Sequence, residues 1–328
     1  MNPSRPDPPT LGVVIPCFNE QAVLPELVDE LKKLAEAVKL PIFFLFVDDG
    51  SSDRTPELLK ELSAEDERFA ALRFARNFGH QTAVSAGLAH ARGDVVAVID
   101  ADLQDPPALI ADMLEKWREG FDVVYGVRRN RKEGPLLRIC YSAFYKLLKG
   151  IANVELPLDA GDFCVMDRAV VDRINRMPEH NRFVRGLRGW AGGRQTGLPY
   201  DRSARAAGEP KYGLIKLFNL AVDGLVSFSW APLRLAVWLG LAASLVSFLL
   251  LVWAVVATVA TGDTPSGWAS LAVMVLFLGG VQLIVLGIFG EYLGRIFEEV
   301  KNRPHFLVDG QSGWVKDDDR TGGGDTRS

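Results

Sequence analysis

The stretch Asp94-Val95-Val96-Ala97-Val98-Ile99-Asp100-Ala101-Asp102-Leu103-Gln104-Asp105-Pro106-Pro107 governs how the rest of this chain is read. Its short apolar run, bounded by acids, has the length and β-branched content of a buried strand. Asp100 and Asp102 stand one residue apart, so in an extended chain both carboxylates face the same side. With the Gln104 amide oxygen they offer hard oxygen ligands for Mg²⁺ or Mn²⁺, ions that take one or two carboxylates and complete their shell with substrate phosphates. The same residues also read as an acidic turn ahead of a proline-started helix.

Upstream of this stretch, short apolar runs alternate with helical patterns. LGVVIPCF (11–18) reads as a buried strand, 21–38 as a helix, and IFFLFVDD (42–49) as a second strand ending in the turn DGSSDRT. A helical stretch over 57–63, a strand near Phe69–Phe74 and a small-residue helix over 82–91 follow. This rhythm predicts an α/β, Rossmann-like domain whose mostly parallel sheet carries helices on both faces. Acids and glycines recur past the strand ends, where open α/β sheets bind ligands. Neither GxGxxG after the first strand nor GxxxxGK[ST] is present, which argues against a dinucleotide dehydrogenase or a P-loop enzyme. In the turn Val47–Asp53 the carboxylates suit ribose hydroxyls or a base edge, while Asp53 and the serines also suit a helix cap.

The chain has 328 residues, enough for one large domain or an ordinary domain with an appendage. Its net charge of -4 gives no general attraction for nucleic acid. Cys17, Cys140 and Cys164 form no CxxC pair, a set that suits a reducing cytoplasm. Cys17 reads as a small packed residue, and His90, His180 and His305 show no metal-ligand spacing. MNPSRPDPPT lacks an apolar signal core, and residues 1–9 are expected to be a disordered lead-in to a cytoplasmic domain over 10–212.

No charged residue interrupts 235–262 or 264–290. Each run exceeds the roughly 20 residues needed to cross a hydrocarbon core of about 30 Å, so transmembrane helices are predicted over 232–262 and 264–290. The linker around Asp263 has no Lys or Arg, whereas Arg234, Arg295, Lys301 and Arg303 lie on the outer flanks. The positive-inside rule then puts both termini in the cytoplasm. Residues 213–231 read as an amphipathic helix on the bilayer, 291–308 as a juxtamembrane helix and segment, and 309–328 as a disordered tail.

VVIPCFNE, VDDGSSDRT, RNFGHQTAVSAGL and DADLQDPP, in this order and spacing, resemble family 2 glycosyltransferases with the A-type nucleotide-sugar fold. More narrowly they resemble polyprenyl-phosphate glycosyltransferases, the group of dolichol-phosphate mannose synthase and the bactoprenol glucosyltransferases. GDFCVMDR, RFVRGLRGW, GEPKYG and EYLGRIFEEVKNRPHFLV extend the likeness over residues 10 to 308, and two spans favour the bactoprenol subgroup. The resemblance implies that Pro16, Phe18, Glu20 and Asp49 line the base and ribose pocket. Asp100, Asp102 and Gln104 would hold the metal and the donor diphosphate, with Arg128 facing the phosphates. Arg138 and Ser142, spaced i and i+4, match the acceptor-phosphate pair, and Arg205 and Lys211 match a mobile acceptor loop. Asp162 takes the place beside the nucleophile. A lipid phosphate is already anionic at neutral pH, so Asp162 has an alternative duty as an orienting charge for sugar, acceptor or Arg138.

The activity implied is inverting transfer of a hexose, UDP-glucose being the leading donor, to undecaprenyl phosphate at a bacterial inner membrane for cell-envelope and lipopolysaccharide glycosylation. GDP-mannose, UDP-N-acetylglucosamine and an aminoarabinose nucleotide are alternative donors. A homotetramer and a flippase partner follow from family analogy only. The arginines from Arg182 to Arg205 divide between the site and anionic headgroups, and His80 either touches the donor or starts a helix. A processive polysaccharide synthase would be expected to carry QxxRW and more spans. A membrane-bound nucleotide-sugar sensor or scaffold is the non-enzymatic alternative.

Overall fold

The computed structural model describes residues 5–128, 160–179, 182–201, 231–261 and 267–317. Contacts divide them into a sheet domain, which takes up residues to 201 and again from Pro304, and a helical unit lying between. Arg138, Ser142, Arg205, Lys211, Cys140, His180, the Asp263 linker and all but the last residue of the predicted 213–231 helix lie outside the described residues.

The sheet domain runs β1 (Leu11–Cys17), α1 (Leu24–Val38), β2 (Ile42–Asp48), α2 (Thr55–Glu65), β3 (Phe69–Phe74), α3 (His80–His90), β4 (Val95–Val98), α4 (Leu109–Arg118) and β5 (Val123–Arg128). It continues with β6 (Ala160–Asp167), α5 (Arg168–Asn175), α6 (Val184–Trp190) and β7 (Gln195–Tyr200). The sheet order is β7-β5-β6-β4-β1-β2-β3, with one further strand, β8 (Val308–Ser312), beside β3. β4-β1-β2-β3 is parallel throughout, as is β5-β7, while β6 runs antiparallel between β4 and β5.

Two buried faces explain why these strands read as unbroken apolar runs rather than alternating ones. Val13 and Ile15 of β1 pack with Leu27, Leu31, Met113 and Trp117 on one face. Val14 turns to the other face, with Val84, Leu88, Val170 and Ile174. The small residues of α3 have a purpose there: a Cβ on Gly87 would sit 2.1 Å from Val14 Cγ1, so α3 lies unusually close to β1.

The chain leaves β1 toward β2 and β3 on one side and reaches β4 on the other. The carboxyl ends of β1 and β4 therefore flank a topological switch point, where such sheets hold ligands.

Two terminal expectations are corrected. The lead-in over 1–9 is not wholly disordered, because Arg5 is anchored to Asp122 at 2.8 Å and lies over the Trp117 ring at 4.6 Å. The tail over 309–328 is not disordered along its first part: β8 pairs antiparallel with β3, and a 3-10 turn, Gly313–Asp317, follows. Burial of Val315 (0% exposed) and Trp314 (9%) supplies the driving force, and Trp314 Nε1 donates to Arg68 O. Gly313 takes φ 69° because a Cβ there would meet Phe69 O at 2.3 Å.

In the helical unit, α7 (Ala231–Thr261) and α8 (Trp268–Lys301) contact one another. At about 1.5 Å per residue each is longer than a bilayer core. Large apolar side chains stand exposed along both, among them Trp238, Phe248 and Trp253 on α7 and Leu283, Leu286 and Phe289 on α8. One described stretch, Phe277–Lys301, is long and apolar enough to cross a membrane; Ala236–Leu250 is a shorter apolar stretch. As expected for a juxtamembrane helix that continues the second apolar run, α8 extends through 291 to a left-handed cap at Asn302.

Candidate active site

The loops after β1 and β2 are stitched into one platform. Asn19 N donates to Ser51 Oγ (2.8 Å), and Ser52 N returns a bond to Asn19 Oδ1 (2.8 Å). Glu20 N donates to Thr55 Oγ1, Gln21 N to Asp53 Oδ2, and Arg54 N to Gln21 Oε1. Asp53 also accepts from Thr55 N, so this acid and the serines serve as caps and loop ties. Phe18 projects from the platform, 44% exposed, with Glu20 beside it in the chain and Pro16 in register with Val47. Cys17 is buried, and burial pushes its thiol well up, which removes it as a nucleophile.

Asp49 departs from its expected role. It is 4% exposed, and its carboxylate accepts from Phe78 N (2.7 Å) and Gly79 N (2.9 Å). Rather than presenting an open carboxylate to a ribose, it fixes the loop that starts α3. Gly50 permits this close approach, since a Cβ there would meet Arg76 C at 2.5 Å.

The extended geometry expected for Asp100 and Asp102 is also corrected. β4 ends at Val98, the chain turns, and Leu103 adopts φ 55°. Asp102 Oδ1 accepts Gln104 N at 3.2 Å, a bond that shapes the turn. Asp100 Oδ1 is buried without a hydrogen bond. Burial pushes the Asp100 pKa up to about 6, with the Asp162, Asp105 and Asp102 charges adding to the rise and His80 opposing it. Among the described residues no group of three or more His, Cys, Asp or Glu is arranged around a metal position. The donor set nevertheless fits a hard divalent cation, because a buried carboxylate oxygen without a hydrogen bond stands beside a second acid, and the only cation the structure puts near it is the His80 ring at 3.6 Å among the described residues.

Asp162 of β6 is the most heavily tied acid of the site. Arg185 grips it with Nε (2.8 Å to Oδ1) and Nη2 (3.0 Å to Oδ2), and Gln81 Nε2 donates at 3.2 Å. His80 Nε2 lies 3.3 Å from Asp162 and 3.6 Å from Asp100 Oδ1, bridging the two acids. Burial alone would raise the Asp162 pKa; the hydrogen bonds from His80 and Arg185 overcome it and hold the carboxyl below its ordinary range. For His80, burial works against the charged ring, but Asp162 and Asp100 outweigh it and raise its pKa.

Arg128 ends β5 in register with Tyr200 of β7. Its Nη2 would lie 3.3 Å from a Cβ on Gly161, and its Nε is buried without a partner. Tyr200 Oη donates to Asp105, which joins the β5–β7 edge to the acidic turn.

Of the predicted residues, the structure thus places Pro16, Phe18, Glu20, Asp49, Asp100, Asp102, Gln104, Arg128 and Asp162 at the carboxyl ends of β1, β2, β4 and β5 and on β6. Gln81, Arg185 and Tyr200 join them without having been singled out, and His80 starts α3, as one of its two readings had it, while its ring lies between Asp100 and Asp162.

The glycosyl transferase family 2 model matches residues 12–174. The uncharacterized glycosyltransferase YkcC of Bacillus subtilis is 45% identical over 298 residues, covering 90% of this chain and 92% of that protein. The bactoprenol glucosyl transferase of Shigella phage SfII is 41% identical over 299 residues, covering 91% and 97%. A solved mannosyltransferase, PcManGT from Pyrobaculum calidifontis, aligns over 87% of each chain at 18% identity with a TM-score of 0.44. The chain belongs to glycosyl transferase family 2, and the family resemblance read from its motifs is borne out.

Proposed function

We propose that this protein transfers a hexose from a nucleotide diphosphate sugar, UDP-glucose first among the candidates, to undecaprenyl phosphate at the cytoplasmic face of a bacterial inner membrane. The observation that carries the reading is Asp100: a buried, unsatisfied carboxylate oxygen beside Asp102, at the switch point between β1 and β4. Relatives named bactoprenol glucosyl transferases, alike over nearly their whole length, support the acceptor class.

In this reading Phe18 offers an aromatic face to the base, with Glu20 and the Pro16 strand end beside it. Asp100 and Asp102 with the Gln104 amide would hold Mg²⁺ or Mn²⁺, which would supply positive charge for the diphosphate leaving group. Arg128 adds donors for its oxygens. An oxygen of the lipid phosphate attacks the anomeric carbon as the bond to the donor diphosphate breaks, and the electron pair leaves on the diphosphate with inversion of configuration. No proton need be removed from the nucleophile. Arg138, Ser142, Arg205 and Lys211 are assigned to the acceptor phosphate. α7 and α8 are assigned as two spans with both termini cytoplasmic. A homotetramer and a flippase partner complete the proposal by analogy.

Detergent-purified protein is incubated with undecaprenyl phosphate, Mg²⁺ or Mn²⁺ and a panel of nucleotide sugars, and glycolipid is sought by mass spectrometry. One product, lost with EDTA and in Asp102→Ala, is the expected result. Tight nucleotide binding without product from any donor would overturn transfer in favour of a sensor or scaffold.

A further inference from the structure

Arg182, Arg185 and Arg188 recur at intervals of three, and the structure gives them different duties. Arg182 spends its guanidinium on its own domain, donating to Met177 O (2.8 Å), Ile174 O (2.8 Å) and Ser85 Oγ (3.2 Å). Arg188 is 2% exposed, lies over the Tyr125 ring at 5.3 Å and reaches Gly161 O at 3.4 Å. Arg185 keeps 40% of its side chain open to solvent while its Nε and Nη2 grip Asp162, which is 5% exposed.

That grip is over-determined. Gln81 donates to Asp162 through Nε2 and accepts Val184 N at 2.9 Å through Oε1, so the residue before Arg185 is tied to the same amide. His80 closes the group on the Asp100 side. A carboxylate engaged on both oxygens by three side chains is built to orient a cation. A half-open arginine so oriented, beside the acidic turn, has the planar fork that suits phosphate oxygens.

We propose that Arg185 binds a phosphate group in the active site and that Asp162 is the positioning residue that presents it, rather than a general base. The identity of the phosphate rests on the glycosyl-transfer reading: the donor diphosphate or the lipid phosphate, which share an anionic phosphate oxygen.

The test uses the full chain in detergent as wild type, Arg185→Lys, Arg185→Gln, Asp162→Asn and Arg182→Lys, each checked by its melting temperature. Calorimetry measures binding of inorganic pyrophosphate and of undecaprenyl phosphate, and turnover with the active donor gives KM and kcat separately. Folded Arg185→Lys is expected to weaken one probe about tenfold or more, because a lysine cannot reproduce the fork. Loss of pyrophosphate assigns the donor side; loss of undecaprenyl phosphate with a matching rise in its KM assigns the acceptor side. Asp162→Asn should weaken the same probe, and Arg182→Lys should lower the melting temperature without moving either affinity. The proposal is overturned if folded Arg185 variants bind both probes within about twofold of wild type. It is equally overturned if Asp162→Asn leaves both affinities intact while kcat falls about a hundredfold or more, as loss of a base predicts. A wild type that binds the probes but yields no glycolipid would defeat the transfer reading, while Arg185 would still be judged by the binding arms.

Discussion

At the scale of single residues, the site is a set of acids whose surroundings divide their labour. Asp49 is consumed by backbone N–H groups, Asp162 by cationic and amide donors, and Asp100 is left with an unsatisfied oxygen. The pair Asp100 and Asp102 was legible in the sequence because both acids lie within a few residues of each other. The reason offered for their common direction was not, since Leu103 turns the chain where an extended strand was expected. The Asp162–Arg185–Gln81 group was invisible for another reason: its members come from β6, α6 and α3, and no local spacing encodes their meeting. Tyr200 belongs to the same class. Burial and the Asp105 hydrogen bond push its pKa up to about 12, so its hydroxyl remains a donor. Tyr200→Phe is expected to cost about 1–3 kcal/mol by stranding a buried carboxylate oxygen, read as a lower melting temperature.

At the scale of elements, the parallel strands β1 to β4 were read correctly because burial on both faces leaves unbroken apolar runs, whereas the parallel pair β5 and β7 was not read. β6 escaped that reading. Its run GDFCVMD carries acids at both ends of a short core and inserts antiparallel between strands that precede it. That insertion brings Asp162 to the edge shared by Asp100. α3 shows how tightly elements are matched, since Gly87 packs on Val14 without room for a methyl group. Gly87→Ala is expected to destabilise the sheet domain by about 1–3 kcal/mol through overpacking, measured by denaturant unfolding. A neutral result would mean that α3 can lift from β1 at no cost.

At the scale of the whole chain, the sequence showed two long apolar helices but not where the chain goes afterwards. The last residues are rich in Asp, Gly and Arg, a composition that suggests a loose tail and drew 309–315 into the same reading. The order of 306–315 comes instead from long-range partners: Phe306 stacks on Phe74 at 5.0 Å, Arg92 lies over Trp314 at 4.6 Å, and Ala75 N donates to Leu307 O. Trp314→Ala is expected to destabilise the sheet domain by about 3 kcal/mol, seen as an earlier thermal transition. The two-span assignment has its own check. A cysteine introduced as Thr264→Cys should react with a membrane-impermeant maleimide added outside intact spheroplasts, whereas one introduced at Ser312 should react only after lysis. Labelling at 312 from outside with 264 reached only after lysis would reverse the topology, and labelling of both from outside would mean that α8 does not span.

β8 also imposes a schedule. The strand that covers the β3 edge lies beyond α8, so the ribosome must make both hydrophobic helices before the piece that finishes the sheet exists. Until Val308–Ser312 emerge, the β3 edge stands bare, with its backbone N–H and C=O groups open to any neighbouring strand. A nascent chain stalled before residue 308 carries every acid of the site yet lacks the lid on that edge. Completion of the sheet domain is therefore a late event relative to its own site, tied to a strand made after both long helices.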